Sequence, residues 1–348
     1  MPDKNQIVRW GVMSTARIAT KVRKAIQQTE GAKLSAVASR SADRAAAWAK
    51  EHGADRSYGD YQALLDDDEL DAIYIPLPPS MHAEWTIRAA QHGKHVLCEK
   101  PMALSAEEAG RIAEAARGNG VLVQEAAMYR YHEQTRQVCE WVANGEIGDI
   151  RVIQGFFGFT LDRGGDIRFD PSLGGGSLWD IGSYPVSFAR TVMGANPVEV
   201  EAQQVLSDSG VDLTFTGQMR FASGALAQIA SSFQVTPYWN AAVIGSNQPK
   251  ANIRLQVTAK STQNTNIVMT SNRKRARGRP TSMTKCIAWS YQYMIRRPAP
   301  GWNGWQKRIG TRLSANWPPV FYPSRIWRTS GNAERKDPHR WTRRQFHP

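Results

Sequence analysis

Four short stretches of the chain hold residue types, at spacings, that could do chemistry. One is Glu99-Lys100-Pro101. A lysine held beside other groups can move a proton if those neighbours lower its pKa, although the same dipeptide on a surface is only an ion pair. Another is Gly174-Gly175-Gly176-Ser177-Leu178-Trp179-Asp180-Ile181-Gly182-Ser183-Tyr184. Its glycines lead into a helix pattern in which Asp180 and Tyr184 stand four apart and so share a face. A carboxylate and a phenol on one face can bind and polarise a sugar-like hydroxyl, while a helix cap followed by a buried aromatic would read the same way.

The third stretch runs from Gly11 through Ser14, Thr15, Ala16, Arg17 and Ile18 to Ala19. Small residues ahead of a helix let the backbone approach a pyrophosphate, which the free N–H groups of the helix N-terminus favour. Counted from Gly11, the G-x-G-x-x-G spacing is not met, because Met13 and Ala16 take the second and third glycine positions. An ordinary strand–helix turn has a similar composition. The fourth stretch is Ser39-Arg40, placed where an NAD site usually carries an acid for the ribose hydroxyls. Ser and Arg can bind a 2′-phosphate that a carboxylate would repel, which points to NADP over NAD; a solvated surface arginine is the alternative.

These motifs need elements to position them. Apolar strand-like runs at Ile7–Val12, Leu34–Ala38, Ala72–Ile75, His95–Cys98 and Val121–Gln124 alternate with helix patterns. The helices are read at Ala16–Gln28, Ala42–His52, Tyr61–Leu65, His82–His92 and Ala106–Asn119. Strict alternation predicts an α/β fold, a doubly wound parallel Rossmann sheet whose ligands bind at the carboxyl ends of the strands. After residue 150 the pattern changes to strands in succession, Arg151–Phe159, Val198–Val205, Val211–Phe221 and Ala225–Val235, with one helix at Ile181–Met193. That predicts an α+β domain with a mostly antiparallel sheet.

Composition sets outer bounds. A length of 348 residues suggests about two domains. No run of 18 or more apolar residues exists, so no membrane span is expected, and the polar Met1–Gln6 leaves no room for a signal peptide. Cys98, Cys139 and Cys286 form neither a disulfide framework nor a metal-ligand spacing, so no metal is expected and a reducing cytoplasm is the default. The formal charge of +13 is unevenly spread. Residues 1–240 hold 23 Lys+Arg against 29 Asp+Glu, a net of −6, and residues 241–348 hold 21 against 2, a net of +19. Arg277-Gly278-Arg279-Pro280 resembles a minor-groove-binding core, but one such match and a charge run make nucleic acid a disfavoured partner. Rich Arg and Trp without periodicity beyond about residue 246 fit translation from a shifted frame, with a lineage-specific tail as the rival.

Taken together the motifs resemble the glucose-fructose oxidoreductase / inositol dehydrogenase (Gfo/Idh/MocA) family, in its branch with tyrosine in the active-site motif. The matching stretches are Arg9–Ala19, Ile75–Pro78 with His82, Glu99–Pro101, Glu125–His132 (EAAMYRYH) and Ile167–Tyr184, within residues 7–245. The resemblance implies a Rossmann domain over 1–125, an open-sheet substrate and oligomerisation domain over 126–245, and a basic tail over 246–348. It implies an NADP-dependent dehydrogenase, with NAD as the other candidate, acting on a sugar, polyol or diol. Lys100 would contact the reacting hydroxyl, Tyr184 would act beside it in proton transfer where several members use histidine, and Asp180 would orient the substrate. Hydride transfer is the cofactor's own chemistry. The implied cofactor contacts are Gly11, Ser14, Thr15, Ala16, Arg17, Ile18, Ser39, Arg40, Leu77, Pro78, His82, Glu99, Lys100, Arg168 and Trp179. A homo-oligomer through the open sheet is implied as well.

Three departures stand against the family pattern. Ser14 replaces a common glycine, and Pro79 stands where asparagine is common. The further strands and closing helix expected after residue 245 are not legible, apart from an echo in Tyr291–Ile295. Their loss, at about 1.5–3 kcal/mol per buried side chain, would exceed a domain's stability of about 5–15 kcal/mol. A catalytically impaired NADP-binding relative is therefore the alternative function.

Overall fold

The computed structural model describes residues 7–246, 252–257, 265–270 and 275–277. The apolar run at the start makes β1 (Val8–Met13), whose last four residues are buried, as a central parallel strand requires. Strand and helix then alternate: α1 (Arg17–Gln27), β2 (Ala32–Ala38), α2 (Ala42–His52), β3 (Arg56–Tyr58), α3 (Tyr61–Leu65), β4 (Ala72–Ile75), α4 (Pro79–Gln91), β5 (His95–Cys98), α5 (Ala106–Gly118) and β6 (Val123–Glu125). Local chemistry fixes several boundaries. The hydroxyls of Ser41 and Ser105 and the carboxylate of Asp60 accept from first-turn amides of α2, α5 and α3. The strands form one parallel sheet in the order β3-β2-β1-β4-β5-β6. Trp10, Val12, Ala19, Val22, Ile26 and Leu34 fill one face, and Leu64, Leu65, Ile73, Ile75, Val96 and Ile112 the other. The strand order reverses between β1 and β4, which opens a crevice at their carboxyl ends.

The second layer system begins with α6 (Glu133–Ala143) and β7 (Ile150–Gly158). A single π-helical turn, Leu178–Gly182, runs directly into α7 (Ser183–Met193). Then come β8 (Glu199–Leu206), β9 (Asp212–Arg220), β10 (Leu226–Ser232), β11 (Tyr238–Gly245), β12 (Asn252–Val257), β13 (Thr265–Thr270) and β14 (Arg275–Arg277). They pair in the order β14-β13-β12-β11-β7-β10-β9-β8, antiparallel except for β7 with β10. Buried and exposed residues alternate along β9, so one face packs on α7 and the other is open.

The expected α/β body followed by an open, mostly antiparallel sheet is what forms. Several elements are absent from the sequence reading, β3, α6 and β11 to β14 among them. β3 is three residues of mixed polarity, and α6 buries only Thr135 and Val138, so neither carries a hydrophobic period. The sheet also does not stop at residue 245: β12 pairs with β11 from Trp239↔Val257 to Val243↔Ile253, and β13 and β14 continue the ladder. Short apolar runs such as Ile253–Val257 find their hydrogen-bond partners in neighbouring strands, which no local pattern announces. The readings placed on residues 278–348, Tyr291–Ile295 among them, lie outside the described residues, and so do most of the basic run 273–280 and the polar Met1–Gln6.

Candidate active site

β5 delivers Lys100 to the crevice. Glu99 N donates to the Ile75 carbonyl at 3.0 Å, and Ala126 N to the Cys98 carbonyl at 2.7 Å, so β4 and β6 fix the turn from both sides. The Lys100 ammonium donates to Asp180 Oδ1 at 2.9 Å and to the Asp180 carbonyl at 2.6 Å. Arg168 Nε donates to Asp180 Oδ2 at 2.6 Å, so one carboxylate spans two cations. The side chains of Lys100 and Asp180 are each 16% exposed, which leaves this ion cluster weakly screened. Burial alone would raise the pKa of Asp180, but Lys100 and Arg168 outweigh it and hold the carboxyl below its ordinary range. For Lys100 burial pulls down and Asp180, with Tyr184, pulls up more strongly; the ammonium is held above its ordinary value. The neighbours therefore do not lower the lysine pKa, because the nearest of them is a carboxylate and not a second cation.

Asp180 owes its place to the π turn. Such wide turns are rare and are found frequently at functional sites. The start of this one is pinned by Asp212 on β9, which accepts from the Ser177 hydroxyl at 2.6 Å and from Leu178 N at 2.8 Å. Gly176 reaches that point with φ +113°, and a Cβ there would collide with Asp212 Oδ1. The Lys100 ammonium also lies 5.3 Å from the centre of the Tyr184 ring. That ring stands edge-on to Tyr129 at 5.9 Å and tilted against Phe157 at 5.5 Å. Burial raises the Tyr184 pKa and the Lys100 charge opposes it; the net direction is upward. Asp180 from the π turn and Tyr184 from the first turn of α7 therefore both lie beside Lys100. Glu99 does not face outward: it accepts from the Tyr74 hydroxyl at 2.6 Å, and burial raises its pKa.

At the phosphate end, the structure re-registers the glycine fingerprint. Gly11 lies inside β1, where a Cβ would meet Leu70 Cδ1 at 2.8 Å and Ile73 Cδ1 at 2.9 Å, so it serves packing and not the turn. The turn begins at Ser14, the one non-glycine with positive φ (152°) among the described residues. Ala16 is the N-cap of α1, and the fully buried Ala19 packs against Trp10 and Val12. Ser14, Ala16 and Ala19 thus take the tight-turn, backbone-approach and helix-packing positions of the motif. The first turn of α1 carries no acid and its N-cap offers no side-chain bond, whereas α2, α5 and α6 each have an acid there. That cradle fits a pyrophosphate. Thr15 and Ile18 are half-buried beside it, and Arg17 is exposed.

At the end of β2, Ser39 is buried and Arg40 exposed, with no acid on either, which fits a 2′-phosphate better than ribose hydroxyls. Leu77 and Pro78 form the loop after β4, and Trp179 lies half-buried in the π turn. His82 departs from its expected place at the cofactor. It is 1% exposed, and its Nδ1 and Nε2 lie 2.7 Å from the carbonyls of Pro101 and Leu77, so it ties two loops together. Asp166, which accepts from Arg168 Nη1 at 3.1 Å, Asp212 and Tyr129 also belong to the site, and of the three only Tyr129 lies where the sequence points, within Glu125–His132. Among the described residues no His/Cys/Asp/Glu group could hold a metal, and no helix is long and apolar enough to cross a membrane.

Comparison with known proteins agrees with this geometry. Residues 8–127 match the model of an oxidoreductase family with an NAD-binding Rossmann fold, and residues 135–249 match the GFO/IDH/MocA C-terminal domain. An uncharacterised oxidoreductase of Rhizobium meliloti is 42% identical over 244 residues, 70% of this chain and 73% of that protein. An NADP(+) D-xylose 1-dehydrogenase of Haloferax volcanii is 43% identical over 226 residues, 64% of this chain and 69% of that protein. Among solved structures, a 3-ketoreductase of Actinomadura kijaniata in complex with NADP and TDP-benzene superposes with a TM-score of 0.76 at 29% identity, covering 88% of this chain and 96% of that one. With a switch-point crevice, a lysine at the end of β5 and both family models matched in order over residues 8–127 and 135–249, the protein belongs to the GFO/IDH/MocA family of oxidoreductases.

Proposed function

We propose that the chain is an NADP-dependent oxidoreductase that moves a hydride between nicotinamide and the hydroxyl-bearing carbon of a sugar, polyol or diol. One observation carries this reading: the Lys100 ammonium, fixed by Asp180, sits beside Tyr184 at the carboxyl end of β5. The names of relatives, an NADP(+) xylose dehydrogenase and an NADP-bound ketoreductase, support the cofactor and the substrate class. Ser14 to Ile18 would hold the pyrophosphate, and Ser39 and Arg40 the 2′-phosphate. The bound nicotinamide supplies the carbon that gives or takes the hydride.

The chain's own groups handle the oxygen. Lys100 and Tyr184 are both protonated in the free protein, so in reduction both donate to the substrate carbonyl oxygen and Tyr184 gives up its proton as the alkoxide forms. In oxidation the hydroxyl proton returns to the Tyr184 oxygen, and Lys100 stabilises the negative charge. Asp180 keeps the ammonium aimed. The test is NADPH binding followed by fluorescence, then turnover across a panel of aldoses, diols and keto-sugars. A folded sample that binds no NADP(H) overturns the reading. On the open face, Leu226, Tyr238 and Ile244 are 41%, 43% and 36% exposed, which supports pairing of two copies there; light scattering on the eluting peak checks it.

A further inference from the structure

The stretch Glu125–His132, singled out in the sequence, brings Tyr129 to the site but supplies no group to which a role in the chemistry has been given. In the structure it touches both halves of the Lys100–Tyr184 pair. At the end of β6, Glu125 Oε1 accepts from Met102 N at 3.1 Å, two residues beyond Lys100. Four residues on, in the single 3-10 turn Met128–Tyr131, Tyr129 packs its ring edge-on against Tyr184. The Tyr129 hydroxyl donates to Ser187 Oγ at 2.6 Å, with Thr191 Oγ1 at 3.4 Å. Ser187 and Thr191 lie three and seven residues after Tyr184, on the same face of α7. Tyr129 is thus laid along that face, and the Tyr184 ring is held between it and Phe157.

We propose that Tyr129 is a positioning residue for catalysis: anchored to Ser187, it holds the Tyr184 ring against Lys100, and the Glu125–Tyr131 segment thereby sets the geometry of the pair. This rests on the reading that Tyr184 takes part in proton transfer. The titratable groups facing Tyr184 are Lys100 and Glu99 beyond β5, Asp180 in the π turn and Glu125 at the end of β6. A ring freed to turn would change its distance to all four.

The experiment is a double-mutant cycle with Tyr129→Leu, Tyr184→Phe and the double variant, assayed with the substrate turned over fastest in the panel. Tyrosinate absorbance is followed against pH in the same proteins. Tyr129→Leu is expected to lower kcat about tenfold, with NADPH affinity within about twofold, and to add nothing once Tyr184 is Phe. The tyrosinate step that is lost in Tyr184→Phe should move in Tyr129→Leu. Should Tyr129→Leu not fold, Ser187→Ala keeps the ring and removes only its anchor, and is expected to cost about threefold in kcat. An unchanged kcat and tyrosinate step, or an equal loss from Tyr129→Leu in both backgrounds, overturns the proposal. Full turnover in Tyr184→Phe overturns the role of Tyr184 itself, an outcome read separately from any Tyr129 variant.

Discussion

The Lys100 ammonium makes two hydrogen bonds to one residue, Asp180, at 2.9 Å to the carboxylate and 2.6 Å to the backbone carbonyl. The two residues are 80 positions apart, and the contact joins the end of a parallel strand to the π turn of the second domain. An ammonium held this way cannot rotate toward solvent. It is preorganised to face an oxygen placed between it and Tyr184.

Replacing Lys100 by Met keeps the length and removes the charge. Turnover is expected to fall by at least about a thousandfold, the scale of a lost proton-transfer and charge-stabilising group. NADPH affinity, which the proposed function assigns to the Ser14–Ile18 turn and Arg40, should stay within about twofold. Steady-state rates beside a fluorescence titration measure both. A rate within tenfold of the parent would remove Lys100 from the chemistry.

The direction of the pKa shifts fixes the pH dependence. Asp180 holds Lys100 above its ordinary value, and burial holds Tyr184 above its own. In the proposed mechanism reduction needs both protonated, so its kcat/KM should be flat through neutral pH and fall at alkaline pH. Oxidation needs a proton acceptor and should rise with pH. Asp180→Asn removes the group that raises Lys100, and the alkaline fall should move to lower pH. Stability follows the same logic. The depressed carboxyl of Asp180 stabilises the fold above its ordinary value of 3.8, and that contribution is lost as pH falls below it. Asp180→Asn should flatten the acid limb of a melting-temperature profile. Reduction that accelerates with pH would overturn the assignment.

Much of this was legible in the sequence, for a physical reason. Strands buried on both faces must be apolar runs, so Ala72–Ile75 and His95–Cys98 read out to the residue. The same alternation places Lys100 at a strand's carboxyl end. What was not legible depends on contacts distant in sequence. Asp212 lies 35 positions from Ser177, and nothing local to β9 marks it as the anchor of the π turn. His82 reads as a polar residue near a cofactor loop until its two carbonyl partners are seen. Counting the fingerprint from Gly11 misled by register: the turn falls at Ser14, the residue that the family resemblance already sets in a glycine's place.

Arg40 offers a direct test of cofactor choice. It is exposed at the end of β2, beside the buried Ser39. A charge-assisted hydrogen bond is worth about 1.5–3 kcal/mol, so Arg40→Ala should weaken NADPH binding about tenfold or more. NADH lacks the 2′-phosphate, and its affinity should change less than about twofold. Equal effects on the two cofactors would show that Arg40 is only a surface residue.

Gly176 tests whether the π turn is what aims Asp180. Its φ of +113° already disfavours any side chain, and a Cβ would strike Asp212 Oδ1, the carboxylate that holds Ser177 and Leu178. Gly176→Ala must displace one or the other. The left-handed backbone alone costs about 1–3 kcal/mol, and a disturbed buried carboxylate adds to it. Unfolding free energy should fall by about 3 kcal/mol and kcat by about tenfold or more, while NADPH affinity holds, because the Ser14 turn belongs to the other sheet. Gly224 supplies the control: its φ is +84°, in the turn between β9 and β10, and a Cβ there would meet no atom within 4 Å. Gly224→Ala carries the backbone strain without the collision, so it should cost about 1 kcal/mol and leave kcat alone. Denaturant titrations and initial rates on the two variants separate the effects. Matching losses of kcat in both would mean that general softening of the domain, not the position of Asp180, limits turnover.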